Sequence, residues 1–292
     1  VVATGSLKTS TYKTAEEFVE DSKKLIEQLG EEIGGKNKIT GFGIAAPNAN
    51  HYTGEVGPAP NVVWAHDEKC NIGSLMEEAT GIPCSVTKDA NAAALGEKKY
   101  GVGKKFKDFI MITLGTGLGS GIIVNHELLY GKNGYAGELG HVYRQEAADR
   151  MCGCGRMGCL ETICSATGVA RPARKMLEES NEPSLLRELK PEEITSYEVS
   201  KAAEKGDKLA KAVYDFTGEV LGKACADFAT FISPEAFIFF GGMAKSGDLL
   251  LGPLRKAYKE NAMHLFRDEV KFLASTVEGS NAAVIGAAAV AP

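Results

Sequence analysis

The chain has 292 residues, 44% of them hydrophobic and 24% charged, with a net charge of -5; this composition suits a soluble globular protein of two lobes better than one small core. The acidic balance argues against nucleic acid or an anionic membrane as a partner, because either would favour a basic face. No apolar run approaches the ~20 residues needed to cross a bilayer, and the opening VVATGSLKTSTYKT has no basic-then-apolar leader, so the cytoplasm is the expected compartment.

Thr14-x-x-Glu17 is a capping box, and Phe18, Leu25, Ile26 and Leu29 give the following helix a buried stripe, with Gly30 and Gly34-Gly35 expected to end it. Residues 39–46 (ITGFGIAA), closed by Pro47, form a short apolar run expected to be a buried strand. A helix over 71–81 ends at Gly81, a second strand covers 82–87, and Asp89 stands at the start of a helix continued by the strong helix formers of 90–97. Strands are expected at 109–114 and 121–124, with a glycine-rich turn between them and a hairpin turn at Asn125-His126. Helices dominate 162–231, interrupted near Pro183 and Pro191. Strand 236–240 (AFIFF) runs into Gly241-Gly242, strand 270–274 follows, and an Ala-rich helix over 281–290 closes the chain. Strands alternating with helices imply an α/β architecture. We draw the lobes at 1–88 plus 281–292 and at 89–280.

Of seven cysteines, Cys70, Cys84, Cys164 and Cys225 are scattered and are expected to behave as small hydrophobes. Cys152, Cys154 and Cys159 fall within eight residues, and His141 precedes them. One imidazole and three thiolates are the ligand set of a closed tetrahedral zinc site, against the alternative of three incidental thiols in a glycine-rich loop. With four protein ligands no coordination position stays open. The zinc would therefore be structural, pinning the 138–161 loop in one shape.

Two carboxylates, Glu138 in GELGH and Glu161 in GCLE, flank these ligands. Alone, each reads as a solvated charge. On a metal-stiffened loop they become acceptors already oriented for the hydroxyls of a sugar, since ionised Glu only accepts. Asp89 in KDANAAALGE either caps its helix, takes the proton from an alcohol that receives a phosphoryl group, or does both. The segment LGTGLGSG, with Gly115, Thr116, Gly117 and Gly119, can turn backbone N–H groups toward a phosphate, or can be glycine-rich for steric reasons alone. Gly241-Gly242-Met243 could let an adenosine approach a helix start.

Taken together, GELGH, CGCGRMGCLE, LGTGLGSG and DANAAA resemble the ROK family of bacterial sugar kinases and sugar-responsive repressors, nearest its glucokinase branch. The resemblance covers nearly the whole chain. It implies the actin-like, hexokinase-like ATPase fold of two α/β lobes with a cleft between them. It also implies ATP with Mg²⁺ as the phosphoryl donor, a structural Zn²⁺ and a small-molecule sugar as acceptor, and it suggests a homodimer. By the same resemblance Asp89 matches the catalytic base, and Glu138, His141 and Glu161 match sugar contacts. His141, Cys152, Cys154 and Cys159 match zinc ligands, the LGTGLGSG turn a phosphate segment, and Gly241-Gly242 an adenosine segment. Two departures stand out. The family begins with a strand, an Asp-x-Gly-Gly-Thr loop and a second strand, expected ahead of Val1. Lys88 occupies the place of a family Asn that contacts a sugar hydroxyl, so it bears on affinity or on the preferred epimer. The repressors of the family carry a DNA-binding segment ahead of this core, an alternative that the acidic balance disfavours; the other alternative is a kinase-like module that binds sugar without transferring phosphate.

Overall fold

The computed structural model describes residues 2–59, 61–277 and 281–291. Helix α1 (Ala15–Glu32) begins with the expected reciprocal cap: the Glu17 amide donates to Thr14 Oγ1 at 3.3 Å, and Glu17 Oε2 accepts the Thr14 amide. It does not end at Gly30. That glycine is buried inside the helix, where the backbone of Lys36 packs on its bare face, and the chain turns at Gly34-Gly35 instead. Strand β1 (Phe42–Ala46) follows, then α2 (Ile72–Thr80), capped by Asn71 and stopped by left-handed Gly81. Strand β2 (Cys84–Lys88) pairs parallel with β1 and passes directly into α3 (Asp89–Tyr100). Asp89 is thus the first residue of the helix and not the residue before it. Its carboxylate accepts the Ala90 amide at 2.7 Å, a favourable place for an anion at a helix N-terminus.

Strands β3 (Phe109–Leu114) and β4 (Leu118–Val124) form an antiparallel pair in which Leu114 faces Leu118. Strand β4 therefore starts three residues earlier than the glycines suggested, because glycine alternation does not stop a ladder when the partner strand is buried on both faces. Left-handed Asn125 and His126 then turn the chain into β5 (Glu127–Leu128). The helical region comprises α4 (Ala166–Glu179), α5 (Ser196–Glu204) and the long α6 (Lys208–Ile232), with short 3-10 turns near Pro183 and Pro191. Strand β6 (Ala236–Phe240) adds parallel to β3; α7 (Asp248–Asn261) packs on α6, and β7 (Lys271–Ala274) adds parallel to β6. The chain closes with α8 (Asn281–Ala288). The larger sheet has the order β5-β4-β3-β6-β7.

Two compact units result, one of residues 1–101, 128–136 and 277–292, the other of 102–127 and 137–276. This division differs from the one drawn on the sequence by α3, which packs on α8 and β1, by the short return at 128–136, and by a last boundary at 277 in place of 281. The first unit has a core of Val19, Val56, Ile72, Met76 and Val86, with Phe18 stacked on Trp64 at 5.3 Å between ring centroids. In the second, Ile110, Ile112 and Leu114 of β3 and Phe237 and Phe239 of β6 face one core with Leu254 and Tyr258 of α7. Cys164 and Cys225 lie fully buried there, where desolvation pushes both thiols well above their ordinary pKa. Cys70 and Cys84 are half-buried in the first unit. Among the described residues no helix is long and apolar enough to cross a membrane.

Candidate functional site: a His-Cys loop and a glycine turn

In the first unit the parallel strands deliver the end of β2 to the start of α3. Lys88 is 4% exposed, and its ammonium donates to the Ala136 carbonyl at 2.8 Å; Asp89, the next residue, is exposed. Alternation across a strand end accounts for the contrast, since successive side chains point to opposite sides. Burying an ammonium costs free energy unless it is hydrogen-bonded, and the carbonyl supplies that bond. Ala136 belongs to the 128–136 return, which also stacks Tyr130 on His51 at 4.1 Å between ring centroids.

In the second unit the four expected metal ligands come together. The donor atoms of His141, Cys152, Cys154 and Cys159 all lie within 4.8 Å of one another. Cys152 Sγ is 3.7 Å from His141 Nδ1, and the sulfurs of Cys154 and Cys159 are 3.6 Å apart. Metal–sulfur bonds of about 2.3 Å imply tetrahedral edges of about 3.8 Å, so the donor set fits one small soft cation. Cys152 and Cys159 are buried and Cys154 is exposed. Burial pushes the Cys152 and Cys159 thiols up, with the Glu161 carboxylate adding to the effect at Cys152. Partial burial also acts upward on Cys154, but bonds from the Arg156 amide and the neighbouring thiols outweigh it and hold that thiol below its usual value.

The loop is braced from outside. Arg144 pairs with Asp227 of α6 at 2.7 Å and Lys223 of α6 with Glu146 at 3.3 Å, while the Arg150 guanidinium donates to the Thr162 carbonyl at 2.9 Å. Nothing in their spacing signals these pairs, because the partners lie far apart in the chain. Ser120 is a further residue that sequence reasoning missed. Its hydroxyl donates to the Gly137 carbonyl and accepts the Leu139 amide, fixing the backbone on both sides of Glu138.

Both flanking glutamates approach His141. Glu138 Oε2 is 3.8 Å from Nε2, and Glu161 Oε1 is 3.8 Å from Nδ1 and 3.0 Å from Cys152 Sγ. The imidazole thus has its Nδ1 side toward the sulfurs and its Nε2 side toward Glu138, one nitrogen for each kind of partner.

The glycine turn, residues 115–117, joins β3 to β4, and Gly119 lies within β4 opposite Thr113. Gly115 donates its amide to the Gly117 carbonyl at 3.1 Å, and Leu118 donates to Glu161 Oε2 at 3.2 Å. Among the described residues, the Thr116 and Gly117 amides have no protein acceptor, so two adjacent donors remain at an exposed turn. The Gly115 carbonyl accepts the Ala166 amide at 2.8 Å, and the Thr116 carbonyl accepts from Thr167 Oγ1 at 2.9 Å. Gly241, at the end of the neighbouring strand β6, has φ +108°, and a Cβ there would sit 2.4 Å from the Leu114 carbonyl oxygen. Gly242 next to it is exposed and unobstructed. The turn that follows is held by Ser246, whose hydroxyl bonds Tyr214 at 2.9 Å and Ser200 at 3.0 Å. Both glycine segments thus stand where parallel strands end, the usual place for ligands in an α/β sheet.

Sheet order and site together define an α/β protein with the actin-like, hexokinase-like ATPase fold, in agreement with the sequence resemblance. The chain belongs to the ROK family, whose family model matches residues 2–292. It is 38% identical over 253 residues to the glucokinase of Halalkalibacterium halodurans, covering 86% of this chain and 76% of that protein. It is 35% identical to the glucokinase of Streptomyces coelicolor, over 96% of this chain and 88% of the relative. The crystal structure of a ROK family glucokinase from Streptomyces griseus in complex with glucose and AMPPNP matches 96% of this chain and 89% of that one, with a TM-score of 0.79 and 33% identity.

Proposed function

We infer that the protein transfers the γ-phosphoryl group of ATP to the 6-hydroxyl of a hexose, with glucose as the expected acceptor. The observation that carries this reading is the arrangement around His141: two glutamates, one at each ring nitrogen, stand on a loop whose four ligands fit a cation. Leu118, the residue directly after the glycine turn, donates its amide to one of those glutamates. The similarity to glucokinases, one of them solved with glucose and an ATP analogue, supports the same reading.

In this reading Glu138, Glu161 and the Nε2 side of His141 bind sugar hydroxyls, and Lys88 bears on which hexose is accepted. The Asp89 carboxylate accepts the proton of the 6-hydroxyl as its oxygen forms the bond to the γ-phosphorus. The bond from that phosphorus to the β,γ-bridging oxygen breaks, and ADP leaves with the electron pair. The Thr116 and Gly117 amides serve the phosphates, and Gly241 and Gly242 give room to the adenosine. Mg²⁺ would accompany ATP and would neutralise charge on its phosphates. Zn²⁺ would be held by His141, Cys152, Cys154 and Cys159 and would supply rigidity to the loop, not chemistry.

An ADP-release assay across several hexoses tests the proposal, with release expected to depend on glucose and to be lost in Asp89→Ala. Sugar-independent release, or an Asp89→Ala protein as fast as the parent, would reject it. Metal analysis should find about one zinc per chain.

A further inference from the structure

Among the described residues, three bonds from outside hold the glycine turn and the first residue of β4 that follows it. Two come from the start of α4, where the Ala166 amide and the Thr167 hydroxyl take the carbonyls of Gly115 and Thr116. The third comes from the cation-binding loop: Glu161, two residues past Cys159, accepts the Leu118 amide through Oε2 at 3.2 Å. The same oxygen packs on the bare face of Gly117, where a Cβ would lie 2.6 Å from it. Gly117 has no left-handed backbone, so this close approach is what argues against a side chain there. The other oxygen, Oε1, is turned to Cys152 Sγ and His141 Nδ1. One carboxylate therefore touches both the cation-binding loop and the turn.

The geometry points to Glu161 as a positioning residue for nucleotide binding, carrying the order of the cation-binding loop to the Gly115–Gly117 turn. The role is separate from any contact Glu161 makes with sugar, and it rests on the reading of this turn as the phosphate segment. A turn released from its third anchor samples more conformations, and a nucleotide must then supply the free energy to order it. Because the acceptor matters here and the charge does not, an amide oxygen at the same place should serve nearly as well.

The test is calorimetric titration of the whole, zinc-loaded chain with a magnesium-bound, non-hydrolysable ATP analogue and no sugar. Glu161→Ala should weaken binding about five- to tenfold with zinc content unchanged, the effect of a lost anchor bond. Glu161→Gln should stay within about twofold of the parent, since it keeps an acceptor of the same shape. Gly117→Ala, which keeps the carboxylate but pushes it off the turn, should weaken binding as Glu161→Ala does. Analogue affinity within about twofold of the parent in both Glu161→Ala and Gly117→Ala would overturn the role, because a mere sugar contact is silent without sugar. Tighter binding in both Glu161 variants would overturn it too, by showing that the charge repels phosphate. No binding of the analogue to the unaltered chain would instead sink the nucleotide reading, and the positioning role with it.

Discussion

The strand-to-helix junction around Asp89 and the loop from Gly137 to Glu161 both carry residues of the proposed site, but they are built by different means. The junction is regular. Strand β2 pairs with β1 along its whole length and α3 begins at once, so ladder and helix place Asp89, and among the described residues its side chain contributes only a bond to the Ala90 amide. The 137–161 loop has no helix or ladder of more than a few bonds: scattered backbone bonds, such as those from the Arg144 amide to Gly158 and from the Leu160 amide to Val142, are supplemented by side chains, namely the His-Cys cluster, the Ser120 hydroxyl and the pairs Arg144–Asp227 and Lys223–Glu146. A region held by backbone bonds should tolerate loss of its functional side chain. A region held by side chains should not.

The largest expected effect tests the first half of that contrast. Asp89→Asn should lower kcat by roughly 10²- to 10⁴-fold, the usual worth of a positioned general base, while the melting temperature and glucose affinity change little. Steady-state kinetics beside a thermal melt give the answer, and a large drop in melting temperature would mean that the carboxylate holds the junction after all. Next comes the loop. Cys159→Ser, or prolonged chelation, should reduce bound zinc and raise the KM for glucose by about tenfold or more, with faster proteolysis inside 142–158; Cys70→Ser should do neither. If kinetics and proteolysis stay unchanged while zinc is lost, the brace pairs alone hold the loop.

Two smaller effects sharpen the comparison by loosening the frame away from both regions. Asp207 caps α6, accepting the Ala210 amide at 2.9 Å and the Leu185 amide at 2.6 Å. Burial would raise its pKa, but bonds from Ala210, Leu185, Ser184 and Leu209 outweigh burial and hold the carboxyl below its ordinary value. The sign follows from that direction. The stabilisation is fully present above the ordinary carboxylate pKa and is lost as pH falls through the depressed folded one. Asp207→Ala should therefore cost about 1–2 kcal/mol at neutral pH, and the difference from the parent should shrink in acid, measured by denaturant unfolding across pH. Thr14→Ala removes the capping box of α1 and should cost about 0.5–1 kcal/mol. Neither change should alter kcat of the folded protein, and a change that did so would argue that the frame and the site are not separable.

Much of this molecule was legible before folding because its signals are local. The capping box at Thr14 and Glu17, the stop at Gly81, the turn at Asn125-His126 and the strand AFIFF each follow from residues within a few positions of one another, and all stand where expected. The meeting of His141 with the three cysteines was readable because three of the four share eight residues and because soft donors at such spacing have few other uses. The misplacements were equally physical. Gly30 looked like a stop but accommodates the returning backbone at Lys36; Asp89 looked like a cap but is the first helical residue; and the glycines of β4 hid a strand start that its partner β3 enforces.

Local chemistry in the chain determined which residues can bind a cation, accept from hydroxyls or turn amides toward a phosphate. Only the tertiary structure decided that the Leu118 amide meets Glu161, that the Lys88 ammonium meets the Ala136 carbonyl, that Gly241 lies against Leu114 and that Arg144 reaches Asp227. These are meetings between residues far apart in sequence, fixed by how sheets and helices stack around a buried core, and no periodicity or spacing encodes them.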